Sequence, residues 1–121
     1  MTTHYDFLGQ AIQFRLQMDQ PIGKDEADLK LQRNLIREEY WEFNQSVADY
    51  KPDEYALKEL ADLVFVCFQY AVAAGWELDE ALDRVFKSNM SKLENGKPVK
   101  NEFGKVTKGR NYEPPYLEDL V

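Results

Sequence analysis

From Leu60 to Ala74 the chain runs almost without a polar face, and its first part, Leu60-Ala61-Asp62-Leu63-Val64-Phe65-Val66-Cys67-Phe68, is apolar on every side of a helix except at Asp62. A helix that is apolar all round is buried all round. The run is about fifteen residues long and carries an acid, whereas a bilayer span needs about 20 apolar residues. Protein rather than lipid has to cover it. A chain of 121 residues with 44% hydrophobic content has material for one core and one domain, residues 1–121. Four short helices from one chain cannot enclose a central helix. Part of this surface is therefore expected to pack on another copy, in a homodimer or homotetramer.

Apolar residues recur at helical spacing along most of the chain, and the breakers between them mark four helices. Helix 1 is predicted over about residues 5–19, ending before Gln20-Pro21-Ile22-Gly23. Helix 2 is predicted from about Asp25 to Tyr50, stopped by Lys51-Pro52. Helix 3 starts there and stops at Gly75, a C-terminal cap. Helix 4 covers about 77–94, and Asn95-Gly96-Lys97-Pro98 opens an irregular basic tail over 95–121 whose only strand signal is a short hairpin around Val99–Thr107.

Composition removes several classes of function. A net charge of −7 and a pI near 4.7 argue against nucleic-acid binding, which needs surplus Lys and Arg to displace counterions. The lone Cys67 excludes a disulfide framework and a cysteine zinc site. The N-terminal MTTHYDF lacks a basic stretch followed by an apolar core. No membrane partner is indicated, and the cytoplasm, of a bacterial cell or a phage-infected host, is the expected location.

The acids of helices 2 and 3 carry the chemistry. Glu38, Glu39 and Glu42 share one helix face, which continues through Leu35 and Leu31 and so reads as inward-pointing. Glu59 and Asp62 share a face with Leu63 and Val66. Burying one unpaired carboxylate costs several kcal/mol and neighbouring ones repel, so this set calls for a divalent cation. An isolated Glu-Glu-x-x-Glu would be read as a solvated face, but Glu59 and Asp62 lie in the most apolar helix of the chain. The donors are all oxygen, which favours Mg2+, with Mn2+ as a substitute, over Zn2+. The single His4 disfavours a di-iron site built on Glu-x-x-His pairs.

Glu38-Glu39-x-x-Glu42, sixteen intervening residues and then Glu59-x-x-Asp62 resembles the signature of the MazG-like all-α nucleotide pyrophosphohydrolase superfamily. Asn89-x-x-Lys92, within Lys87-Ser88-Asn89-Met90-Ser91-Lys92, is similar to that superfamily's Asn-x-x-Lys element, and the tail from Gly104 to Pro115 is similar to the ending of its short phage and bacterial members. The resemblance implies an all-α four-helix bundle and cleavage of a nucleoside triphosphate between its α- and β-phosphates. It also implies Glu39, Glu42, Glu59 and Asp62 as ligands of two or more ions. Glu38 would hold a second metal or activate the attacking water, as a spare carboxylate beside a metal is placed to do.

Eight basic residues lie between Arg84 and Arg110 against only Glu94 and Glu102. Such cations suit the remaining phosphates, with Lys87, Asn89, Lys92, Lys108, Arg110 and Tyr112 as candidates. A solvated tail that balances an acidic body is the plainer alternative. For the base, Phe14 and Gln17 on helix 1 and Trp41 on helix 2 are the candidates, although aromatic residues at helical spacing are more often core. The expectation is a magnesium-dependent nucleoside triphosphate pyrophosphohydrolase, with a purine such as dGTP first. The rivals are a dUTP or dCTP hydrolase, a phosphoribosyl-ATP pyrophosphohydrolase, and a non-catalytic helical nucleotide-binding module.

Overall fold

Helix ends fall close to the breakers. The computed structural model describes residues 3–121 and contains α1 (Phe7–Gln17), α2 (Glu26–Ala48), α3 (Asp53–Ala74) and α4 (Leu78–Met90), with a 3-10 turn at Glu118–Leu120. The fold is all-α. Among the described residues the only β pairing is two isolated bridges, Glu94 with Lys97 and Lys100 with Val106. The chain forms two compact units, Met1–Glu77 and Leu78–Val121.

In the first unit, α1 opens with Asp6 accepting the Gly9 N–H at 2.8 Å. A Cβ at Gly9 would meet Asp6 Oδ2 at 2.2 Å, so this cap depends on glycine. Asp25 caps α2 through the Asp28 N–H at 2.9 Å. α2 ends at Ala48, two residues before the expected Tyr50, because Tyr50 takes a left-handed φ of 53° ahead of Pro52. α3 ends as read from the sequence, on Gly75 at φ 78°.

A buried polar clasp joins α1 to α2. Arg15 is fully buried, and its guanidinium donates to the Pro21 carbonyl at 2.9 and 2.7 Å, to Gln20 Oε1 at 3.3 Å and to Asp28. Gln32 Nε2 donates to the other Asp28 oxygen at 3.3 Å. The clasp ties the Pro21 turn to the start of α2.

α2 and α3 make the most extensive helix pairing, and α1 packs on α3. The C-terminal half of α3 is core, with Phe68, Ala71, Val72, Ala73 and Ala74 buried. Its N-terminal half departs from the all-round burial expected: within one chain Leu60, Val64 and Phe65 remain 41%, 47% and 37% exposed. The inward stripe of α2 also differs from the leucine reading, since Leu31 is half exposed. The buried and half-buried positions are Asp28, Leu29, Gln32, Asn34, Leu35, Ile36, Glu39, Phe43 and Ser46. The three fully buried members, Asp28, Gln32 and Ser46, are all polar, and the face admits Glu39 while leaving Glu38 and Glu42 exposed.

In the second unit the tail returns along α4. Ser88 Oγ donates to the Glu113 carbonyl at 2.6 Å, and Ser91 Oγ accepts the Glu113 N–H at 2.9 Å. Arg84 donates to the Tyr116 carbonyl at 2.9 Å and to Asp119 at 2.6 Å. α4 stops at Met90, short of the expected 94. The Ser91 hydroxyl also donates to the Ser88 carbonyl at 2.6 Å, and Asn95 and Gly96, at φ 52° and 75°, make the two-residue turn that Asn-Gly favours. Glu94 and Lys97 exchange backbone hydrogen bonds of 2.8 and 3.0 Å across that turn. The hairpin expected around Val99–Thr107 survives as the Lys100–Val106 bridge, closed by the Thr107 N–H donating to the Val99 carbonyl at 2.7 Å.

Candidate metal centre

The α2–α3 pairing brings one carboxylate oxygen each of Glu39, Glu42 and Glu59 within 4.8 Å of one another. Glu39 Oε2 and Glu59 Oε2 are buried and accept no hydrogen bond among the described residues. An unsatisfied buried carboxylate oxygen is costly, and acceptors facing acceptors cannot relieve each other. Burial pushes the Glu39 carboxyl above its ordinary range, and the charges of Glu42, Asp62 and Glu59 push it further against the opposing pull of Lys58. The donor set fits a hard divalent cation: it is all oxygen, anionic and short of hydrogen-bond donors.

Asp62, expected in the same cluster, is paired instead with Lys58 Nζ at 2.6 Å, one turn away on α3. The same ammonium lies 3.8 Å from Glu59 Oε1. Lys58 holds the position of a compensating cation, and its own pKa is raised, first by the hydrogen bond to Asp62. Sequence reasoning missed it. Its signal was present in the i, i+4 spacing from Lys58 to Asp62. The pair is exposed on the lysine side, so an incoming ion can displace the ammonium at small cost.

Glu38 is exposed and lines an open hollow with Arg37, Trp41 and Glu42. A second hollow is lined by Glu54, Tyr55, Lys58 and Glu59. Phe14 packs edge-on against Phe65, with centroids 5.1 Å apart, and lines neither hollow. Gln17 ends α1, exposed.

The remaining candidates belong to the second unit. Lys87 pairs with Asp83 at 2.7 Å and Arg110 with Glu94 at 2.7 Å, while Arg84 is shared between Asp119 and Glu80. Three of the basic residues counted in the sequence are thus engaged by acids of their own unit. Lys108 sits 4.8 Å above the Tyr112 ring. Asn89 is exposed and Lys92 half-buried. Gly109 passes so close to Lys92 that a Cβ would meet its carbonyl at 2.5 Å.

Four helices, two of them pairing their acidic faces, make the layout of a MazG-like all-α nucleotide pyrophosphohydrolase. Over residues 8–89 the chain matches the model of the phosphoribosyl-ATP pyrophosphohydrolase family, and it belongs to that family. Its class of chemistry is accordingly pyrophosphate-bond hydrolysis, in a family that works with divalent metal. The match takes in every acid of the cluster and ends at Asn89, ahead of Lys92 and the tail. A comparison with curated proteins returned no match. No described helix is long and apolar enough to cross a membrane.

Proposed function

We propose that the protein is a magnesium-dependent nucleoside triphosphate pyrophosphohydrolase that converts a (deoxy)nucleoside triphosphate to the monophosphate and pyrophosphate, acting in the cytoplasm. The observation that carries this reading is the convergence of Glu39, Glu42 and Glu59, with two buried oxygens that have no donor. These three, joined by Asp62 once Lys58 lets go, would hold the ions. Bound Mg2+ supplies charge neutralisation on the phosphates and lowers the pKa of water. Glu38, exposed one residue before the cluster, is placed to take the proton of the water that attacks the α-phosphorus as pyrophosphate departs. Lys58 and Arg37, which line hollows that also contain members of the cluster, are the cations of the first unit proposed for phosphate oxygens. In the second unit, Lys87, Asn89, Lys92, Lys108, Arg110 and Tyr112 are proposed as phosphate-binding residues from the resemblance of the helix 4 element and the tail.

Phosphoribosyl-ATP is the second substrate to test, because the family match bears that description. A panel of triphosphates plus phosphoribosyl-ATP, assayed for orthophosphate with and without added pyrophosphatase, decides both points. Signal that requires pyrophosphatase supports α–β cleavage, and orthophosphate released without it overturns the assignment. The enzyme is further proposed to act as a homo-oligomer, with a second copy covering the apolar groove lined by Phe7, Leu57, Leu60, Ala61, Val64 and Phe65.

A further inference from the structure

A third hollow adjoins the carboxylate cluster, between the end of α2 and the start of α3. Its volume is about 190 Å³, below the roughly 300 Å³ at which pockets begin to hold a drug-sized molecule. It suits one ring system and not a whole nucleotide. Two of its walls, Glu42 and Glu59, are also members of the carboxylate cluster. A group seated there lies beside the phosphates of the same molecule.

The three hollows differ in what they offer. The two described above present Arg37 and Lys58, which suit phosphate oxygens. The third sets Glu42, Asp49 and Glu59 against the single cation Lys51, and so disfavours another phosphate. Each of the other two hollows has one aromatic residue, whereas this one is lined by both, Trp41 at 62% and Tyr55 at 53% exposure. Open aromatic surface next to acceptors seats a planar ring that carries N–H donors. Asp49 is the carboxylate of this lining that is not a member of the metal-binding cluster. Its backbone N–H closes α2, while its carboxylate makes no hydrogen bond or ion pair among the described residues.

We infer that this hollow seats the nucleobase and that the Asp49 carboxylate reads the N1–H and 2-amino edge of guanine, an inference that rests on the pyrophosphohydrolase reading. A carboxylate is an acceptor only, and its two oxygens match two adjacent donors. Guanine presents that pair. Adenine and cytosine put a ring-nitrogen acceptor next to their amino group, and thymine and uracil flank one N–H with carbonyls, so each of these sets an acceptor against an oxygen of Asp49.

The test is Asp49→Asn, which keeps the shape and exchanges one acceptor for a donor. The substrates are dGTP and xanthosine triphosphate, which carries a carbonyl where guanine has its 2-amino group. For the wild type, kcat/KM should favour dGTP; the variant should lose about 10- to 100-fold on dGTP, the range of one good bidentate base contact, and gain on xanthosine triphosphate. An unchanged ratio overturns the inference. A readout independent of turnover is quenching of Trp41 fluorescence by dGMP and by xanthosine monophosphate in a Trp76→Phe background. The base preference should invert there as well. Inversion without pyrophosphate release from any triphosphate would overturn the reading of the reaction and leave the base seat standing. Pyrophosphate release with no inversion would do the reverse.

Discussion

The carboxylate cluster makes a prediction in which the sign of a stability change depends on metal. Two unit charges 4.8 Å apart, the separation within which the three acids meet, repel by roughly 1 kcal/mol at the dielectric of water and about 3 kcal/mol at an effective protein value of 20. Because these groups are at most half-buried, the lower figure applies. Glu59→Gln removes one such charge and supplies an amide that can donate to the orphan oxygen of Glu39. In EDTA the variant should therefore be more stable than wild type by about 1 kcal/mol, or roughly 3–5 °C in Tm for a chain of this size. In Mg2+ the order should invert. At 100 times Kd the ion stabilises wild type by about 2.7 kcal/mol, near 10 °C, and the variant should lose most of that. Thermal unfolding followed by circular dichroism with and without Mg2+ measures all four values. The pH dependence gives a second check. The Glu39 carboxyl titrates above its ordinary 4.5 in the folded protein, so between 4.5 and that higher value the folded state binds more protons than the unfolded state. Metal-free stability contributed by this group rises as pH falls through that window, and Mg2+ should reverse the slope. Glu59→Gln that lowers the metal-free Tm and keeps the full Mg2+ shift would refute the assignment of these acids to a metal.

Arg15→Ala leaves the buried Asp28 without its ion-pair partner and should cost about 3–5 kcal/mol in urea unfolding, whereas Arg15→Met with Asp28→Leu together should recover much of it. Leu60→Asp with Val64→Asp, on the exposed apolar half of α3, should reduce the mass found by light scattering to 14.2 kDa; an unchanged oligomer would show that copies meet elsewhere. Gly109→Ala forces a Cβ toward the Lys92 carbonyl at 2.5 Å and should displace the tail crossing. If the tail holds phosphates, KM rises several-fold while the Mg2+ shift in Tm is kept, and unchanged kinetics would make it a solvated segment.

Helix identity and both ends of α3 were legible locally. Pro52 and Gly75 bound α3 because a missing N–H and a left-handed φ act on their own residue. The spacing of Glu39, Glu42 and Glu59 with Asp62 is likewise a property of one helix at a time. The tertiary structure decided what local spacing leaves open, which is the rotation of each helix against its neighbour. On α2 the fully buried positions are the polar Asp28, Gln32 and Ser46, while the leucine periodicity points to the exposed Leu31 as well as to the half-buried Leu35, because buried polar residues, Asp28 held by Arg15 among them, carry no hydrophobic signal. That rotation of one position turns Glu39 in and leaves Glu38 and Glu42 at the rim. The same reason hid Lys58, whose importance comes from the acids that α2 brings opposite α3. It hid the early end of α4 as well, where Ser88 and Ser91 hold a strand of tail that lies more than twenty residues away in sequence and adjacent in space.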